Sequence, residues 1–355
     1  PRLQLLWEKG SLDRAEDSFE RLGSAVIWAG FVSVADSRSL GVYQYKPGGD
    51  FQGIMGRRGS GPGEFRSITG LTMIADTLFV ADGRRRHVTG FLGGQSVSEQ
   101  TVDIVQRAGF AAGLQARLTG GRLLVAYRPA TIAAETFDSE PVRLVVLGPD
   151  GSMPTELGPI RRPRTNIELQ FRASQLTINA PGLRRISTGT ILGFSSNGRV
   201  FAHADADFTG KVLRIQSWDL MLSSEARTGI LRFDPETVRD ASIDSIAIDL
   251  VRSDPEMDEA QTGLVRRVIR EQIRPTFYPP VTGLVAANTG ELWFRLNGPA
   301  IPMETWLRYD PSSGASLRIR LKPLEIVAAA DGDLIVTTRP TPDGIPKLAL
   351  YRVIK

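Results

Sequence analysis

The amino-acid sequence predicts an all-β protein: a six-bladed β-propeller closed by an N-terminal strand, with a helical insertion between blades four and five. Three features carry this expectation. A short strand motif recurs six times, a second alternating strand follows each copy, and the sixth unit lacks an outer strand while an unassigned apolar segment stands at the head of the chain.

The motif is a turn residue, a variable residue, then alternating apolar positions. Its copies, in order, are Gly30-Phe-Val-Ser-Val-Ala-Asp36, Asp76-Thr-Leu-Phe-Val-Ala-Asp82, Gly121-Arg-Leu-Leu-Val-Ala-Tyr127, Gly198-Arg-Val-Phe-Ala-His-Ala204, Gly290-Glu-Leu-Trp-Phe-Arg-Leu296 and Gly332-Asp-Leu-Ile-Val-Thr-Thr338. Successive copies start 46, 45, 77, 92 and 42 residues apart. Three of these spacings fit a unit of about 44 residues, and the two long ones are that unit plus an insertion. The second strands read Gly41–Tyr45, Val88–Phe91, Val142–Val146, Val212–Ile215, Thr305–Tyr309 and Leu348–Tyr351. Most run into turns such as Pro47-Gly-Gly49, Gly93-Gly94, Gly148-Pro-Asp-Gly151 and Asp310-Pro-Ser-Ser-Gly314. Period-2 alternation broken by such turns is an antiparallel meander, and four short strands per unit make one blade. The segment Leu3-Gln-Leu-Leu-Trp7 is then expected to supply the outer strand of blade six, with residues 1–23 as closing strand and linker of one propeller domain spanning 1–355.

The run Gly59-Ser-Gly-Pro-Gly-Glu-Phe65 resembles the turn between blades in bacterial six-bladed propellers of the NHL-repeat group. The strands Val34-Ala-Asp36 and Val80-Ala-Asp82 are similar to the same group. The resemblance extends over nearly the whole chain and is clearest over residues 24–105. Where NHL repeats usually place an Asn and an Arg after the Val-Ala-Asp strand, this chain has Gly83-Arg-Arg-Arg-His87. The resemblance therefore implies a fold more strongly than a ligand.

The insertion at 234–279 reads as helical. Asp234-Pro235-Glu236 and Ser253-Asp-Pro-Glu256 are candidate helix starts with proline in the first turn. From Glu259 to Arg274, Leu264, Val265, Val268, Ile269 and Ile273 share one face, and Arg266, Arg267, Arg270 and Arg274 fall largely on the other. Those arginines are the candidate partner-binding residues, for an acidic protein or an anionic surface. The insertion at 159–190, with six arginines and several prolines, reads as a rim loop or a basic lip.

Metal candidates are few. His203, Asp205 and Asp207 alternate along a strand and so share a face. Asp36 and Asp82 occupy equivalent repeat positions, where a carboxylate either bonds turn amides or lines the channel near Ca²⁺.

The exclusions are broader. The 355 residues hold no cysteine and only two histidines, which removes disulfides, thiolate chemistry and multi-histidine metal sites. Walker, nucleophile-elbow and dinucleotide motifs are absent from the sequence. The net charge is +4, with 37 arginines against six lysines, a skew that reads as bacterial genome composition. The basic run Arg84–His87 has no aromatic platform within it, so nucleic acid is not the expected partner. Lack of cysteine and a start at Pro1 point to an exported chain, periplasmic or extracellular. No stretch is long and apolar enough for a spanning helix. The expected function is a non-catalytic protein-binding or assembly module without a cofactor, of the kind that serves as an extrinsic subunit of a membrane-bound complex. The alternative is a Ca²⁺-dependent hydrolase or lyase with its site in the central channel.

Overall fold

The structure, a computed structural model, describes residues 2–102, 110–129, 142–149, 155–161, 166–171, 174–179, 181–220, 226–253, 257–273, 276–298, 304–341 and 343–354. It contains six four-stranded antiparallel sheets. Blade one is Leu22–Trp28, Phe31–Asp36, Val42–Tyr45 and Phe51–Met55; blade two is Ile68–Ile74, Thr77–Asp82, His87–Leu92 and Gln95–Thr101. Blade three is Phe110–Arg117, Leu123–Pro129, Val142–Leu147 and Thr155–Ile160; blade four is Ile191–Phe194, Val200–Asp207, Val212–Asp219 and Arg227–Arg232. Blade five is Val281–Ala286, Leu292–Leu296, Thr305–Tyr309 and Ser316–Arg320. Blade six takes Ile326–Asp331, Leu334–Arg339 and Lys347–Ile354 from the end of the chain and Arg2–Lys9 from its start.

The closing strand pairs from Arg2 opposite Ile354 to Lys9 opposite Leu348, with a bulge between Leu5 and Trp7. The bulge turns Trp7 inward: it is buried, its indole N–H donates to the Pro47 carbonyl at 3.0 Å, and its ring lies 5.6 Å from that of Tyr45 in blade one. One strand therefore completes blade six and staples it to blade one, as the apolar segment at the head of the chain predicts.

First strands of most neighbouring blades pack against one another around the axis. Six apolar clusters lie between consecutive blades, from the pair one and two round to the pair six and one. This is the alternation of each strand made physical, since a blade's two faces feed two different inter-blade cores. Antiparallel order also sorts the connections. Links from one blade to the next, and loops between second and third strands, open on one side of the ring, here the connector face. Turns between first and second and between third and fourth strands open on the other, the turn face.

A seventh cluster stands apart from the blades. Helix α1 (Asp240–Ser253) and helix α2 (Thr262–Ile273) bury Ile243, Ile246, Ala247, Leu250, Val265, Val268 and Ile269 against one another. The same cluster takes in Ile167, Leu183 and Ile186 from the other insertion. That second insertion is not a rim loop. It forms a hairpin, Asn166–Phe171 with Ser174–Asn179, and a short 3₁₀ turn, Pro181–Arg185. The two insertions thus build one satellite on the connector face.

The helix starts differ from the sequence expectation. Asp234-Pro235-Glu236 opens no helix, because the two ends of the insertion pair with each other: Val238 N–H donates to Thr276 O, Tyr278 N–H to Glu236 O, and Thr237 bridges Phe277. Ser253 ends α1 instead of starting a helix. The start before α2 is Asp258, whose carboxylate accepts from Gln261 N–H while the Gln261 side chain accepts from Asp258 N–H. Residues 254–256 lie outside the described residues.

Candidate functional site

The two repeat aspartates end second strands at the connector face. Asp36 has no exposed surface, and its carboxylate accepts from Glu20 N–H (2.6 Å), Arg21 N–H (3.1 Å), Arg38 N–H (2.9 Å) and Ser39 N–H (3.2 Å). Asp82, equally buried, accepts from the amides of Arg66, Arg84 and Arg85. Each carboxylate joins the connector entering its blade to the loop leaving its second strand. A cation would have to displace these amide donors, so neither aspartate fits a Ca²⁺ ligand set; both act as turn acceptors.

His203, Asp205 and Asp207 share a strand face, and the structure brings only two together. His203 Nδ1 lies 3.1 Å from Asp205 Oδ2, and Asp205 Oδ1 accepts from the Thr190 hydroxyl at 2.5 Å. Asp207 turns away to Arg214 (2.7 Å) and Gly210 N–H (2.9 Å). Among the described residues no three His, Asp or Glu side chains gather as a metal-holding group.

These bonds set the acid behaviour. Burial alone would raise the Asp205 carboxyl, but the His203 and Thr190 bonds and the nearby Arg161 outweigh it and hold it below the ordinary value. Asp207 is held low by the Gly210 amide and by Arg214. The unfolded chain therefore takes up more protons than the folded one as pH falls. The stabilisation is complete above the ordinary carboxylate value of about 4 and is lost as pH drops through the depressed folded values. Thermal melts are expected to be flat from roughly pH 7 to 5 and to fall below about 4. In a variant carrying Asp205→Asn and Asp207→Asn the fall should be shallower; an unchanged acid limb would show that these contacts contribute nothing.

The arginines of α2 divide. Arg266 pairs with Asp244 and Arg270 with Asp240, both at 2.6 Å, so these two tie α2 to α1. Arg267 is exposed, and Arg274 lies outside the described residues. Arg184 and Arg185, on the 3₁₀ turn of the same satellite, are exposed too. In the basic run of blade two, Arg85 is internal: its guanidinium donates to the carbonyls of Gly61 (3.2 Å) and Glu64 (2.7 Å), fastening the glycine-rich turn to blade two.

The central channel holds the feature that sequence reasoning missed. The blade-four turn Ser195–Arg199 reaches across the axis on the turn face. Ser196 Oγ accepts from Ile27 N–H of blade one (3.0 Å) and Ser196 O from Met73 N–H of blade two (2.8 Å). Asn197 O accepts from the Thr119 hydroxyl of blade three (2.7 Å), and Asn197 N–H donates to Asn288 Oδ1 of blade five (2.9 Å). Asn288 in turn donates to Ile27 O (3.1 Å) and bonds Asp331 of blade six. Blades one and four are opposite in a ring of six, so this bonding spans the bore and stops it. The turn requires Gly198: its φ is +63°, and a Cβ there would lie 2.7 Å from Thr72 Cγ2. Ser-Ser-Asn-Gly reads as an ordinary hairpin turn in sequence, and nothing in its composition marks the crossing.

Above this stopper lies a cavity of about 240 Å³, walled by residues of all six first strands. Among the described residues its lining is Ser, Thr, Gln, Gly and apolar side chains, with no charged group.

No family model matches the chain, and no curated protein matches it. Solved structures do. A Bacteroides fragilis protein whose name describes it as exported superposes with a TM-score of 0.50 at 11% identity, over 99% of this chain and 96% of its own. A member of the DUF4221 family from Bacteroides vulgatus gives 0.50 at 6% identity, over 99% and 98%. At such identities the likeness establishes the propeller fold and nothing finer.

Proposed function

We propose that this chain is an exported, non-catalytic propeller that binds a protein partner through the satellite on its connector face, as an extrinsic component of a membrane-associated assembly. One observation carries the reading. Two insertions far apart in sequence share one apolar core and raise a separate structure on a rigid ring. Such a ring supplies a fixed platform, and long insertions on repeat scaffolds commonly build the partner-facing surface. Arg184, Arg185 and Arg267 are among its exposed cations, whereas Arg266 and Arg270 hold the two helices together. An acidic partner surface is the complement. The buried aspartates and the uncharged bore support a binding role over acid–base or metal chemistry.

The test is charge reversal that spares the helix pairing. A variant with Arg184→Glu, Arg185→Glu and Arg267→Glu should fold with unchanged circular dichroism. It should lose at least tenfold in affinity for the protein that wild type captures from its native extract, once that protein has been purified. Undiminished binding would place the docking surface elsewhere.

A further inference from the structure

We propose that the stopped channel is a binding site for a small uncharged molecule rich in hydroxyl groups, of monosaccharide size or below. This goes beyond the docking role of the satellite and does not depend on it.

The chemistry of the wall selects the ligand. A charged molecule entering the bore would shed water and meet no opposite charge in the lining, which is strongly unfavourable. A purely apolar molecule would strip water from polar groups that lack partners, which is also unfavourable. Those groups are specific. Thr72 is 2% exposed, lines the cavity, and among the described residues its hydroxyl has no hydrogen-bond partner. The Ser24 hydroxyl on the exposed side of the bore likewise has no partner among the described residues. Gln115 donates its amide to Gly113 O at 3.0 Å and keeps its carbonyl oxygen for another donor.

The strand edges add more. A first strand has a partner on one side only, and its other edge looks into the bore. Ile27 and Met73 show which way that edge points, because the stopper bonds both of their amides. Two residues earlier, within the regularly paired stretches 25–28 and 70–74, Ala25 and Leu71 turn their own N–H and C=O the same way, above the stopper. The cavity therefore offers donors and acceptors in close alternation between patches formed by Phe194 and Leu284. That is the pattern a polyol or sugar satisfies, with hydroxyls for the edges and C–H faces for the rings and methyls. A volume of about 240 Å³ corresponds to some eight waters at about 30 Å³ each, which a hexose would displace.

The experiment uses the full chain and three probes, D-glucose, glycerol and D-gluconate, followed by saturation-transfer NMR with competition titration. Glucose and glycerol should give saturable transfer, and gluconate, of similar size but anionic, should give none. Ser24→Trp, which fills the bore from its exposed side, should abolish the transfer. Thr72→Val, which keeps shape and removes the hydroxyl, should weaken glucose binding roughly tenfold. Melting curves establish folding, and Thr72→Val decides the matter if the tryptophan variant fails to fold. No saturable transfer from either neutral probe, gluconate binding as well as glucose, or transfer that survives both variants would overturn the proposal and leave the bore as a water-filled core.

Discussion

Replacing Asp36 with alanine is expected to destabilise the protein by about 3–5 kcal/mol, because four part-buried amides lose their acceptor at once and each unsatisfied donor costs about 1–3 kcal/mol. The carboxylate has no exposed surface and collects the amides of Glu20, Arg21, Arg38 and Ser39. Two of these belong to the connector from blade six and two to the following loop, so the loss is felt at a junction between blades. Asp36→Asn can keep its oxygen for the three amides that share Oδ1 but then turns an NH₂ toward the Glu20 amide, so it should recover only part of the loss. Urea unfolding of the three proteins checks both points. An alanine variant within about 1 kcal/mol of wild type would mean that water replaces the carboxylate freely.

Trp7→Ala should act on ring closure with similar size, about 3–5 kcal/mol, the range for truncating a buried aromatic side chain. Trp7 fills the cluster between blades six and one, and its indole fixes Pro47 of the neighbouring blade one. The variant should retain its far-ultraviolet spectrum while the outer strand Arg2–Lys9 exchanges its amide hydrogens faster than the outer strands of other blades. If exchange in Arg2–Lys9 is unchanged while overall stability falls, Trp7 is a core residue only and does not fasten the closure. Leu5, on the same strand, is 47% exposed, so Leu5→Ala serves as the contrast and should cost little.

Much of the ring was legible because its signals are local. A blade strand announces itself by alternation within six residues, and its turn by Gly, Asp or Pro at the end. Asp36 and Asp82 were legible in part: a carboxylate at the end of a strand finds turn amides in its own neighbourhood, but the sequence left that reading open beside a Ca²⁺ ligand. Even closure could be read, because Leu3–Trp7 alternates and had no other place to pair. What stayed hidden depends on residues that meet only in the folded chain. Ile167 and Leu183 carry no mark that they will cover Val265 and Ile269. Arg266 and Arg270 looked free on a helical face until Asp244 and Asp240 stood opposite. Asp234-Pro235-Glu236 has the composition of a helix start, yet the pairing of Glu236 and Val238 with Thr276 and Tyr278 took its backbone. The solved structures establish the blade geometry that the chain shares with known propellers, and the NHL resemblance remains a reading of the sequence.

The stopper also bears on how the molecule acquires its shape. Ser196 meets Ile27 across 169 positions of chain, and Asn288 meets Ile27 across 261. Contacts of such separation are slow to form, since loop-closure entropy opposes them until intervening elements are in place. The blade-four turn can seat only after blades one, two and three have gathered round it, and Asn288 only after blade five has followed. Individual blades can nucleate early from their own hairpins, but the polar knot at the axis is a late event that registers whether the circle has assembled in the right order. A chain stalled before that step would hold Ile27 and Met73 amides bare at the centre, an open form exposed to aggregation that the finished protein has left behind.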